Sequence, residues 1–103
     1  EICISDLNGD SAKKIYMEKL KENLLSLNYN VKENYPFSGG YIARNYSNIK
    51  NVSVIQVEIR RDIYVNEDKL ILNHGFDKLK RDMLFSVSSL ANELNDEQIF
   101  AAE

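Results

Sequence analysis

Residues 52–61, Val-Ser-Val-Ile-Gln-Val-Glu-Ile-Arg-Arg, decide how this chain is read. As a strand, they place Val52, Val54, Gln56, Glu58 and Arg60 on one face. Ser53, Ile55, Val57, Ile59 and Arg61 take the other, because side chains of an extended backbone alternate. A run that begins apolar on both faces is usual for a strand covered on both sides, so residues 52–60 read as the central strand of an α/β sheet. The polar residues at its end are costly to bury without partners, and that points to a site.

Working outward toward the N-terminus, residues 2–5 form a short apolar segment followed by the turn-rich cluster Asp6-Leu7-Asn8-Gly9-Asp10. Asp10 or Ser11 is placed to cap a helix. Ala12, Ile15, Tyr16, Lys19, Leu20, Leu24 and Leu27 then fall largely on one helical face, with Lys13, Lys14, Glu18, Lys21 and Glu22 toward water. Asn28-Tyr29-Asn30 stops the helix, and residues 31–34 read as a second strand. Strand, helix, strand with short joins is the βαβ pattern of a parallel sheet.

Residues 35–40, Tyr-Pro-Phe-Ser-Gly-Gly, are incompatible with regular structure: Pro36 lacks a donor and the glycines permit positive φ. Residues 40–46 fit a short helix or an irregular strand, and residues 47–51 a polar loop. Residues 62–72 fit a strand-like excursion or a loop. Phe76, Leu79, Met83, Val87, Leu90 and Leu94 mark a final amphipathic helix with Lys78, Lys80, Arg81 and Glu93 opposite. The tail after Asn95 is expected to fray. The expected architecture is α/β: one domain fragment over residues 1–103, with a partial, mostly parallel sheet of three to four strands and two long amphipathic helices packed on it.

The 103 residues suit one domain or part of a larger one. A net charge of −3 gives no electrostatic reason to expect a nucleic-acid or anionic-membrane partner. No apolar run approaches the roughly 20 residues of a membrane span, and no secretory signal is visible. The single cysteine, Cys3, excludes an internal disulfide and suits a reducing, cytoplasmic compartment; it reads as a small buried hydrophobe. The chain opens on Glu1 rather than Met and enters a strand at once, so a fragment with preceding sequence is expected.

Glu58 is the foremost candidate for chemistry. At the carboxyl end of a parallel strand it would sit where open α/β sheets bind ligands, as a general base. The alternative is a self-satisfied ion pair with Arg60 or Arg44. Gln56 shares its face, so a polar patch is being built. Ser38-Gly39-Gly40 offers either N–H groups for an anion or a plain turn. Arg44 has the planar fork that grips a carboxylate, and Arg60 shares the Glu58 face. Tyr41, Tyr46 and Tyr64 read as pocket walls or packing. His74 lacks partners at ligand spacing and reads as a cap or surface residue, so no residue is assigned to a metal.

The blocks Asn34-Tyr35-Pro36-Phe37-Ser38-Gly39-Gly40-Tyr41 and Val54-Ile55-Gln56-Val57-Glu58-Ile59-Arg60-Arg61-Asp62-Ile63-Tyr64 resemble the N-formylglutamate amidohydrolase family. That family shows an N-x-P-[YF]-x-G-G-[YF] loop and a Q-[IV]-E-[IL]-[NR]-R-x-[LI]-Y strand. Residues 5–12 are similar to its G-D-x-x-G-x-S segment, with Ser5 in place of the first Gly. The resemblance implies a zinc hydrolase related in fold to the metallocarboxypeptidases, which splits N-formyl-L-glutamate into formate and glutamate in histidine degradation. It implies that Glu58 activates a zinc-bound water, while Gln56, Arg60, Arg44 and the Gly39–Gly40 loop orient a small carboxylated substrate. The family's ligands, two histidines and a carboxylate, belong to sequence preceding this chain, so zinc is expected from outside it and residues 1–103 alone are expected to be inactive. The rivals are a non-catalytic module held by a Glu58, Arg60 and Arg44 ion-pair network, and an amidase for other carboxylated, peptide-like substrates. A cut sheet would also favour self-association through its exposed edge.

Overall fold

Ile2–Ser5 forms strand β1, and all four of its side chains are buried. This follows from what covers its two faces. Ile2 and Ile4 point into the apolar core, while Cys3 and Ser5 face the proline–glycine loop, where both hydroxyl and thiol reach the carbonyl of Phe37. In this computed structural model the backbone of residues 1–102 and the side chains of residues 1–94 are described. The order continues with α1 (Lys14–Ser26), β2 (Val31–Glu33), α2 (Tyr41–Tyr46), β3 (Gln56–Ile59), a 3₁₀ turn (Arg61–Ile63), β4 (Val65–Asn66), β5 (Ile71–Leu72) and α3 (Phe76–Ala102).

The main sheet runs β2-β1-β3, with β4 and β5 forming a separate two-stranded ribbon. β1 and β2 are parallel, Ile2 opposite Val31, as the βαβ pattern predicts. β1 and β3 are antiparallel, Ser5 opposite Gln56 and Cys3 opposite Glu58. The sheet is therefore mixed rather than mostly parallel, and the central strand is β1, not residues 52–60. The reason lies in the connection. A parallel third strand would need a crossover along the length of the sheet. The segment between β2 and β3 holds only the six-residue α2 and stays at the carboxyl end of β1. There Leu7 N–H bonds Ser38 and Val54 N–H bonds Ser11, so the chain re-enters the sheet from that same end. Val52 and Ser53 are exposed outside the strand, and the double-sided burial belongs to β1.

The core joins Ile2 and Ile4 to Met17, Leu20 and Leu24 of α1, Tyr29, and Leu79 of α3. Burying side chains such as Ile4 and Leu24, both at 0% exposure, stabilises the fold by about 1.5–3 kcal/mol each. The inward stripe of α1 includes Met17, whereas Ile15 is exposed. The buried stripe follows the i, i+3, i+7 spacing of Met17, Leu20 and Leu24, and Ser11 does not cap the helix but donates to Val54 O at 2.7 Å, so α1 begins at Lys14. On α3 the inward positions include Leu79, Met83, Ser86 and Leu90, while Val87 faces out at 58% exposure. Ser86 is fully buried where α1 crosses, and Asn23 Nδ2 donates to its carbonyl at 3.2 Å; a small residue lets the helices approach at this point. The fray expected after Asn95 concerns residues whose side chains lie outside the described set, and the helical backbone runs to Ala102.

A polar clasp ties α3 to the turn after α1. Tyr29 Oη donates to Asp82 Oδ2 at 2.5 Å, Lys78 Nζ meets the same oxygen at 2.6 Å, and the ammonium lies 5.0 Å from the Tyr29 ring centroid. Burial alone would push the Asp82 carboxyl up, but the hydrogen bonds from Lys78 and Tyr29 outweigh it and hold it below the usual range. Burial, then the bond to Asp82, raises the Tyr29 phenol.

Residues 62–72, open between strand and loop, contain the 3₁₀ turn and the β4–β5 hairpin, and residues 41–46 settle as helix. Gly75 is needed where the hairpin meets α3, since a Cβ there would collide with the carbonyl of Ile63. His74 is exposed in the turn before α3, and Cys3 is buried as a free thiol.

Candidate active site

The geometry begins with the turn after β1. Leu7 and Asn8 adopt positive φ, which folds the chain around the Asp6 carboxylate. Asp6 is only 5% exposed, and its Oδ1 accepts from Gly9 N at 2.9 Å and from Asn34 Nδ2 at 2.8 Å. Asn34, itself at positive φ, returns the contact: its Oδ1 accepts the backbone N–H groups of Asp6 at 2.9 Å and Asn8 at 3.2 Å. Asparagine tolerates this backbone region and carries both donor and acceptor on one short arm. The end of β2 is thereby latched to the end of β1.

That latch sets the start of the proline–glycine loop, whose Tyr35–Pro36 peptide is cis. Ser5 Oγ donates to Phe37 O at 2.6 Å, and Leu7 N donates to Ser38 O at 2.7 Å. Gly39 has φ of 136°, and a Cβ there would stand 2.7 Å from Leu7 Cδ2, so a glycine is required twice over.

From Gly40 a hydrogen-bond relay reaches Glu58. Gly40 N donates to Gln56 Oε1 at 2.8 Å, and Gln56 Nε2 donates to Glu58 Oε1 at 2.5 Å. Residues opposite one another on antiparallel strands share a face, so Gln56 and Glu58 stand with Ser5 and Cys3 on the loop side of the sheet. Glu58 thus reaches the site from within an antiparallel edge strand, not from the carboxyl end of a parallel one.

The arginines divide. Arg44, on α2, sends Nη1 to the carbonyl of Gly39 at 3.4 Å and is exposed beside the loop. Arg60 is not brought to Glu58. β3 ends at Ile59, the chain turns into the 3₁₀ segment, and Arg60 Nε pairs instead with Asp62 at 2.6 Å. Arg61 pairs with Glu67 at 3.5 Å. Among the described residues Glu58 makes no ion pair, so neither Arg60 nor Arg44 satisfies it. Gly40 has its N–H engaged by Gln56 and does not offer it to an anion. Tyr64 packs against the core, whereas Tyr41 and Tyr46 are exposed.

Sequence singles out Gly39, Gly40, Arg44, Gln56 and Glu58, and the structure gathers these five; Arg60 stands apart. Nothing in a single sequence marks Asp6 and Asn34 as a pair, although Asn34 opens the loop block that carries the resemblance. Two grooves of about 720 and 1050 Å³ lie along α1; the first reaches the Asp6–Asn34 latch, and Gly39, Gly40, Arg44, Gln56, Glu58 and Arg60 line neither. Among the described residues no group of three or more His, Cys, Asp or Glu side chains could hold a metal ion. The zinc implied by the resemblance has no ligand set here, and no step is derived through it.

The fold is shared with a solved amidohydrolase. The chain superposes on the crystal structure of N-formylglutamate amidohydrolase from Ralstonia eutropha JMP134 with a TM-score of 0.86 and 23% identity, covering 93% of this chain and 35% of that one. The chain therefore spans about a third of that protein's length. No curated protein matches it. The family model for N-formylglutamate amidohydrolase matches residues 1–65, and the chain belongs to that family.

Proposed function

We propose that this chain supplies the general base and the substrate-side loop of an enzyme that hydrolyses N-formyl-L-glutamate to formate and glutamate. Membership of the family supports the reaction class. The observation that carries the assignment is the state of Glu58: half-buried, held through one oxygen by a neutral amide, and free of any cation among the described residues. A carboxylate locked in an arginine pair has both oxygens engaged; one oriented by a single amide keeps its aim and leaves its second oxygen open to a water. In the proposed step Glu58 takes a proton from the attacking water as its oxygen bonds the formyl carbon. The C–N bond then breaks and Glu58 delivers that proton to the leaving nitrogen. Arg44, exposed beside the Gly39–Gly40 loop, grips a carboxylate of the substrate through its fork.

The finer parts belong to the same proposal. Residues 1–103 would be the C-terminal part of a metallocarboxypeptidase-like, cytoplasmic domain. Zinc would be held by ligands outside these residues, and the unpaired edge of β3 would promote self-association of the isolated chain. Zinc-dependent hydrolysis by residues 1–103 alone would overturn the placement of the ligands. The ion-pair module loses its support because Arg60 is committed to Asp62. The direct test is Glu58→Gln in the enzyme that contains this chain. Turnover of N-formylglutamate should fall by about 10²–10⁴ with zinc content retained. Near-normal turnover would sink the assignment.

A further inference from the structure

Gln56 invites a substrate-binding role, since its amide lies on the face of the candidate base. Its hydrogen bonds say otherwise. The Gly40 N–H can only donate, so it selects Oε1 of Gln56 and leaves Nε2 directed at Glu58, at 2.8 and 2.5 Å respectively. Both ends of the amide are used within the chain. Gly40 is itself fixed from behind: Gly39 is wedged against Leu7, the loop carbonyls of Phe37 and Ser38 are held by β1 and its turn, and the Asp6–Asn34 latch anchors the loop's entry. The relay therefore starts on rigid backbone and ends on the carboxylate. A Cβ on Gly40 would lie 3.2 Å from Gln56 Oε1, which accounts for the second glycine as the close-approach position.

We infer that Gln56 is a positioning residue for Glu58, with the Gly40 N–H setting its orientation, and that it does not bind substrate. The inference rests on the proposed role of Glu58, but its geometric half can be tested without any turnover. A preorganised base needs its rotamer locked by such a partner, and loosening it lowers the rate rather than the affinity.

Two measurements decide it. The first uses NMR of the enzyme that contains this chain and is independent of activity. In Glu58→Ala the side-chain amide resonances of Gln56 should move while Gly40 stays protected from exchange; in Gln56→Met the Gly40 amide should exchange at least about tenfold faster, with the remaining spectrum retained. Unmoved Gln56 amide resonances, or an unchanged Gly40 rate, would overturn the relay even if the enzyme works as proposed. The second uses the enzyme containing this chain. Gln56→Met should lower kcat by about 10²-fold with KM within about twofold, and should cost nothing further in a Glu58→Gln background. A raised KM at preserved kcat, or a full additional loss in that background, would reassign Gln56 to substrate binding. If the NMR signatures appear and Glu58→Gln leaves turnover intact, the brace stands and the general-base reading fails instead.

Discussion

Two carboxylates in this molecule are each held by close hydrogen bonds, and they differ in what holds them. Asp82 receives a phenol and an ammonium on one oxygen, joining α3 to the turn after α1. Glu58 receives one amide N–H and makes no ion pair among the described residues; Arg60 pairs with Asp62, and Arg44 lies exposed beside the loop. The first arrangement neutralises its charge and fastens two elements together. The second aims the carboxylate while leaving its charge unspent. Within one small domain, the number and sign of the partners separates a fastener from a candidate base.

The strongest way to break this contrast is Glu58→Gln, whose effect should appear in turnover by about 10²–10⁴ and hardly in thermal stability. A large loss of stability would make Glu58 a fastener too. Next comes Gly39→Ala, which meets Leu7 Cδ2 at 2.7 Å from a backbone with φ of 136°. It should cost about 1–3 kcal/mol in denaturant unfolding and should also disturb the Gly40 amide signal, because the loop seats the relay. Tyr29→Phe should be milder, about 1 kcal/mol by the same measurement, with turnover retained; a comparable loss of turnover would erase the distinction between the two carboxylates.

The fastener also has a pH signature. The Asp82 carboxyl is held below its unfolded value, so its contribution is complete above the unfolded carboxylate range and is lost as pH falls through the folded value. Tyr29 is raised, so its contribution is present below the ordinary phenol range and is lost as pH climbs through the raised value. Acid unfolding of Asp82→Asn should show a shallower acid limb than the parent; identical limbs would mean the clasp is not formed in solution. The smallest effect belongs to Arg60→Ala. Its pair with Asp62 is exposed at 60% and 54% and screened by solvent, so stability should hardly change in denaturant unfolding and turnover should be preserved. A clear loss of turnover would return Arg60 to the site.

Much of this was legible in the chain, and what was not has identifiable causes. The βαβ opening could be read because α1 and its flanking strands obey periods set by local geometry. The identity of Glu58, Gln56 and the diglycine loop followed from their pattern. The direction of β3 could not be read, because alternation is the same for parallel and antiparallel neighbours and only the path of residues 34–55 chooses between them. The apolar stripe of α3 places Val87 inward, but the close approach of α1 buries the small Ser86 and leaves Val87 exposed. Arg60 continued the alternation on paper, but the strand ends one residue earlier.

By itself, then, the sequence determined the family and the first βαβ unit, since each depends on residue type and short-range spacing. The tertiary structure alone decided that the sheet is mixed and that Asp6 and Asn34 latch the loop. Those outcomes depend on which backbone groups meet across some thirty residues of chain, and hydrogen bonds formed at that separation leave no periodicity to read.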